Sequence, residues 1–301
     1  MTSRKPNLFV IGAMKSGTTY LTKLLESHPS IFMCRPEEPS YFVEPKQLRK
    51  LYPDMWDEGY WKSQEHYLKL FRRAGNAAIL GESSTNYSKR PQVTGVPEKI
   101  QKFNPDARLV YIMRDPIERT ISHYWHMVRY HAERRSIVDA IRDDPQYCDV
   151  SHYAMQLAPF FDRFGREKIG ILTLEKLASS PIETMKLLYA WLRVDSSFDT
   201  TGVEKAENVT PSIVNQASLF GIPQRLRQSR MLRSLVPRLP RSIRQIGVRL
   251  STEPIEWKTV ETAEAIEILR PIQRNQTEEL VKLVGRDFPE WRTLNATSSL
   301  D

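Results

Sequence analysis

The chain of 301 residues contains no run of 18 apolar residues, so no segment of it reads as a membrane span. It has two cysteines, Cys34 and Cys148. Two thiols alone make neither a disulfide framework nor a zinc site, and they read as reduced thiols in a cytosolic protein. A first strand begins by Leu8, which leaves no room for a signal peptide, so a cytoplasmic location is expected. Internal repeats and low-complexity linkers are also missing. Acidic residues are the minority charge: 44 Lys+Arg against 36 Asp+Glu give +8. That suits an anionic ligand and is equally compatible with plain solubility. Hydrophobic residues at 40% and charged residues at 27% are the balance of a soluble globular protein.

What is present is concentrated near the start. Leu8 to Ile11 read as a short buried strand. Gly12 and Gly17 then bracket a loop, and from Thr18 the apolar residues Leu21, Leu24 and Leu25 fall at helical spacing until His28-Pro29. Strand, glycine-bracketed loop and helix form a phosphate site, because the first-turn N–H groups and the helix dipole both favour an anion. A nucleotide-triphosphate P-loop carries lysine directly after its second glycine. Here Thr18 stands in that place, and the lysine, Lys15, lies inside the loop. No later strand ends in an acidic residue that suits a Mg²⁺ ligand, so no metal is expected. A glycine turn with a surface lysine is the bland alternative.

The rest of the first 200 residues alternates. Strands are expected at 31–33, 77–80, 108–113 and 168–173, and helices at 66–73, 97–103, 153–164 and 182–192. Residues 43–64 show no period. A helix opens at Pro116, with Asp115 as N-cap and Glu118 closing a capping box. Ile117, Ile121, Tyr124, Trp125 and Val128 form its apolar stripe. The alternation predicts an α/β fold of three layers, P-loop-like, with a central parallel sheet covered by helices on both faces. Ligands bind beyond the carboxyl ends of such strands, so the strand ends carrying Lys15, Glu38 and Arg114 are expected to face one crevice.

After about residue 200 the texture changes. Residues 208–250 show no convincing strand, and eight arginines lie between Arg225 and Arg249. They read as a solvated basic face or as a basic flap over an anionic ligand. Nucleic-acid binding is the weaker option, because aromatics for base stacking are scarce there. Residues 263–284 are expected to be helical with a break or kink at Pro271. One domain over 1–301 is expected, with an α/β core over 1–200 and a mostly helical elaboration over 201–301.

Two motifs carry a resemblance. Lys15-Ser16-Gly17-Thr18-Thr19-Tyr20-Leu21 resembles the 5′-phosphosulfate loop of sulfotransferases that use 3′-phosphoadenosine 5′-phosphosulfate (PAPS). Arg114-Asp115-Pro116, with Ser122 eight residues after the arginine, resembles their 3′-phosphate motif. The segment 35–42 and the ending 283–291 are similar to the heparan-sulfate and bacterial branch. The resemblance implies PAPS as sulfuryl donor and a hydroxyl acceptor, either a carbohydrate or a small molecule such as a lipid or natural product. It implies that Lys15, Ser16, Gly17, Thr18 and Thr19 hold the 5′ end and Arg114 and Ser122 the 3′-phosphate.

Charge grows on the leaving phosphate oxygen during transfer, and Lys15 is the cation placed to stabilise it. Glu38 matches the catalytic glutamate of the heparan-sulfate branch and is expected to be the general base, with Glu37 and Glu82 as rivals. His123 and His126 read as structural. That branch often has a lysine directly after the glutamate equivalent to Glu82, where this chain has Ser83. A cation near the sulfuryl group is therefore missing or supplied elsewhere, which weakens the case for a polysaccharide acceptor. The competing classes are a P-loop small-molecule kinase and a non-catalytic nucleotide-binding protein.

Overall fold

A computed structural model describes residues 4–131, 133–203, 213–217, 252–256 and 259–296. The arginine-rich stretch 225–249 lies outside the described residues. Five strands, β1 (Leu8–Gly12), β2 (Ile31–Met33), β3 (Ile79–Ser83), β4 (Arg108–Met113) and β5 (Ile169–Thr173), form one sheet in the order β2-β3-β1-β4-β5. Every pairing in it is parallel. The chain divides into two compact units, one of Met1–Thr120, Cys148–Asn208 and Glu267–Asp301, the other of Ile121–Tyr147 and Val209–Ile266. The sheet belongs to the first.

Alternation along the strands decides which helices cover which face. Leu8 and Val10 of β1 and Val110 and Ile112 of β4 pack with Leu21, Leu24 and Leu25 of the helix Thr18–Ser27. Leu188, Tyr189 and Leu192 of the helix Pro181–Leu192 join the same cluster. Phe9 points the other way, edge-on to Phe42 at 5.6 Å between ring centroids, and Tyr111 meets Tyr153 of the helix Tyr153–Phe164 at 6.0 Å. Both faces are therefore dry, as the continuous apolar runs of β1 and β4 require.

Several local expectations need correction. The segment 43–64 holds two short helices, Pro45–Leu51 and Pro53–Glu58, each opening on a proline at its first position. They are too short to show a period. The helix expected over 66–73 is Gln64–Leu68 followed by a 3₁₀ turn, Lys69–Phe71. β3 starts two residues later than expected and runs through Gly81-Glu82-Ser83, because its pairing with β1, Phe9 to Glu82 and Val10 to Ser83, carries it past the glycine where its pairing with β2 ends. The expectation of no strand in 208–250 fails at Ile213–Ala217, which pairs antiparallel with Thr252–Glu256. That partner lies some forty residues away, beyond the reach of any local pattern. The helix Thr259–Val284 runs uninterrupted through Pro271.

Asp115 caps the helix Pro116–His131 as expected, its Oδ1 accepting from the N–H groups of Ile117 (3.0 Å) and Glu118 (3.4 Å). The capping box does not form, because the Glu118 carboxylate is taken by Arg114 (3.1 Å) and Thr293 (2.9 Å). The second oxygen of Asp115 accepts from Leu294 N at 3.0 Å, so one buried carboxylate joins the helix start to the end of the chain. Losing a cap costs about 0.5–2 kcal/mol, and stranding a buried N–H adds about 1–3 kcal/mol. Asp115→Ala is expected to lose about 2–4 kcal/mol in urea denaturation; a loss below about 0.5 kcal/mol would refute the double role.

Candidate active site

β1 has strands on both sides, so its loop leaves from the middle of the carboxyl edge. Gly17 is the N-cap of the helix Thr18–Ser27 with φ 86°, a conformation glycine adopts without a Cβ penalty. A Cβ there would lie 2.6 Å from Leu174 Cδ1. No side chain caps this helix, so its first-turn amides remain for an anion. Ser16 and Thr18 are buried, and the Thr19 hydroxyl donates to Glu37 Oε2 at 3.3 Å. Lys15 itself sits at φ 66°.

Arg114 leaves the end of β4, the strand beside β1. The Tyr153 hydroxyl holds its backbone, donating to the carbonyl at 2.7 Å and receiving the N–H at 3.3 Å. The guanidinium is partly exposed and bonds Glu118 through one N–H, which leaves a fork of donors for a phosphate. Ser122 stands further along the helix Pro116–His131 with its side chain buried, in the second unit.

Glu38 is anchored from the neighbouring strand end. Its N–H donates to Ser83 O at 2.8 Å, and its Oε1 accepts from Thr85 N (3.1 Å) and Thr85 Oγ1 (2.7 Å). Its Oε2 is buried and accepts no hydrogen bond of good geometry. Burial pushes the Glu38 pKa up, while the Lys89 ammonium and the bonds from Thr85 and Asn86 pull it back. Lys15, Glu38 and Ser40 are three of the four non-glycine residues with positive φ among the described residues (66°, 59° and 51°). Such backbone costs of order 1–3 kcal/mol per residue and gathers at functional sites.

The rivals are differently placed. Glu37 is held by Arg35 at 2.6 Å as well as by Thr19. Glu82 is fully buried inside β3, its Oε2 accepting from the Tyr67 hydroxyl at 2.7 Å. His123 packs on Tyr147 and His126 on Tyr130, ring against ring at 4.8 and 4.9 Å. Sequence reasoning missed Lys89 and Tyr52. Lys89 is buried, and its Nζ lies 4.8 Å from the Tyr52 ring centroid. A lysine shortly after a strand end was the available signal; its burial was not visible.

Burial raises the Glu82 pKa from 4.5 to about 7 against the hydrogen bonds of Tyr87 and Tyr67, with the Glu38 charge adding to the rise. The folded chain thus holds a proton that the unfolded chain releases earlier. This contribution is whole below about pH 4.5 and is lost as pH rises through about 7. The melting temperature is expected to fall across that window, and Glu82→Gln to flatten the fall; parallel curves for the two proteins would exclude Glu82 as its source.

Over 131 residues the chain is 31% identical to the membrane-associated sulfotransferase kil1 of Dictyostelium discoideum, covering 44% of this chain and 25% of that one. Over 201 residues it is 25% identical to the heparan sulfate glucosamine 3-O-sulfotransferase 5 of Mus musculus, covering 63% of this chain and 54% of that one. The chain thus spans a quarter to about half the length of these curated relatives. A solved sulfotransferase from Alicyclobacillus acidocaldarius shares the fold with a TM-score of 0.65 at 23% identity, over 96% of this chain and 99% of the other. The family model described as the sulfotransferase family matches residues 6–199, nearly two thirds of the chain and the whole of the sheet and both motifs, and the chain belongs to that family.

Proposed function

We propose that this protein transfers the sulfuryl group of PAPS to an acceptor hydroxyl. The observation that carries the reading is the pairing of two features at one carboxyl edge. One is an uncapped helix start with Lys15 in its loop. The other is a carboxylate, Glu38, fixed by one oxygen and bare at the other. The donor set fits PAPS: amides and hydroxyls at 16–19 suit the 5′ end, and the Arg114 fork suits the 3′-phosphate. Ser122 joins Arg114 as a 3′-phosphate ligand on the strength of the resemblance alone.

Lys15 neutralises the charge that grows on the departing phosphate oxygen. Glu38 Oε2 takes the proton of the acceptor hydroxyl as the new O–S bond forms and the old one breaks, the electron pair staying on phosphate. The acceptor is a carbohydrate or a small molecule bearing a hydroxyl. A kinase would want a lysine at Thr18.

Calorimetry tests the donor: the desulfated product, 3′-phosphoadenosine 5′-phosphate (PAP), is expected to bind in preference to ATP, and the reverse order would favour the kinase. Lys15→Ala is expected to lower kcat by about 10²–10³ with a smaller change in PAP affinity, since the amides remain. A variant within about threefold of wild type would remove Lys15 from the chemistry.

Glu38→Gln keeps the side-chain shape and removes the base. Transfer to an alcohol is expected to slow by about 10²–10⁴, with transfer to an acidic phenol, already ionised, far less affected. Equal losses for both acceptors, or none, would show that Glu38 is not the base.

A further inference from the structure

Lys89 is a buried cation whose hydrogen bonding is unfinished. Its side chain lies 6% exposed. Its Nζ donates to Asn86 Oδ1 at 2.7 Å and stands over the Tyr52 ring. Among the described residues no carboxylate forms an ion pair with it, although Glu38 is the charge that most raises its pKa. Burial outweighs that help and brings Lys89 down to about 8. An ammonium has three donors, and one bond with one aromatic face is poor compensation for burying it.

The surroundings hold it rigidly in place. The 3₁₀ turn Thr85–Ser88 is tied on three sides. Ser88 Oγ donates to Ile11 O at 2.6 Å, where β1 gives way to the loop. Thr85 grips Glu38 Oε1. Asn86 Nδ2 donates to Ser40 Oγ at 3.1 Å, so both ends of that amide are engaged and its oxygen stays on Lys89. The Tyr52 hydroxyl is buried without a partner and lies within the field of Glu38. A bare carboxylate oxygen, an under-bonded ammonium and an unpartnered phenol thus sit about one turn, next to the end of β1. A basic carboxylate oxygen to take a proton and a cation to hold an anionic group are what a transfer site needs.

We propose that Lys89 is a catalytic residue whose ammonium binds the non-bridging oxygens of the sulfuryl group beside Glu38. This rests on the PAPS reading above. During transfer the acceptor O–S bond forms as the S–O bond to phosphate breaks. The electron pair leaves on the phosphate oxygen, the acceptor proton goes to Glu38, and Lys89 keeps its own proton throughout. Lys15 serves the departing phosphate, Lys89 the group in flight.

The test needs no acceptor, because PAPS and PAP differ only by the sulfuryl group. Both are titrated calorimetrically into wild type, Lys89→Met and Lys89→Gln. Lys89→Met is expected to weaken PAPS at least about tenfold, the scale of a lost charge-assisted hydrogen bond, and PAP less than about twofold. Equal losses for both ligands, or no loss for either, would overturn the proposal and leave Lys89 as internal counter-charge for Glu38. If Lys89→Met does not melt cooperatively, Lys89→Gln is read by the same ratio. Wild type that binds neither ligand would overturn the donor reading itself, a result distinct from a selective or non-selective defect in the variants.

Discussion

β1 is paired on both sides, with β3 through Leu8 to Val10 and with β4 through Leu8 to Gly12, and the arrangement of side chains at the carboxyl edge depends on that double pairing. It centres the Lys15 loop in the sheet. It also puts two other strand ends beside the loop: the turn after β3, which holds Glu38 and carries Lys89, and Arg114 after β4. Because all pairings are parallel, every one of these ends emerges on the same edge, where helix starts and loops collect. The fully buried apolar runs of β1 and β4 are the cost of this arrangement, and helices on both faces meet it.

The electrostatics of the edge are set by desolvation more than by pairing. Glu38, Glu82 and Lys89 all have burial as the largest cause of their shifts, toward the neutral form in each case. The Lys89 charge restrains Glu38 while the Glu38 charge lifts Glu82. Two carboxylates on adjacent segments thereby separate into one anchored by a single oxygen, with the other bare, and a core residue bonded to Tyr67. Backbone strain at Lys15, Glu38 and Ser40 falls on the same edge, and the surrounding hydrogen bonds maintain it: Glu38 N to Ser83, Ser40 N to Ser84 Oγ.

The sequence by itself determined the class of fold and the glycine-bracketed loop that opens the first helix. Both are written locally: an apolar run, two glycines five residues apart, a helical period, an N-cap before a proline. Local signals suffice where a few consecutive residues bury themselves or cap themselves. The same locality explains the accuracy at Asp115, whose capping oxygen serves its own helix, and the miss at its other oxygen, which serves Leu294.

Tertiary structure alone decided the rest. Glu38 stands apart from Glu37 and Glu82 because each is bonded by different partners: Thr85 for Glu38, the local Arg35 together with Thr19 for Glu37, and Tyr67 for Glu82. The resemblance singled out Glu38, but the burial and partners that separate the three carboxylates are not written in the local sequence. Lys89 is the clearest instance. The chain shows Ser83 where a cation was expected, and folding brings a lysine six residues later into the field of Glu38, tied down through Asn86 and Ser88. A turn that packs against the end of a strand more than seventy residues earlier leaves no periodic trace in the sequence, because hydrogen bonds at such separation answer to the sheet order and not to spacing along the chain.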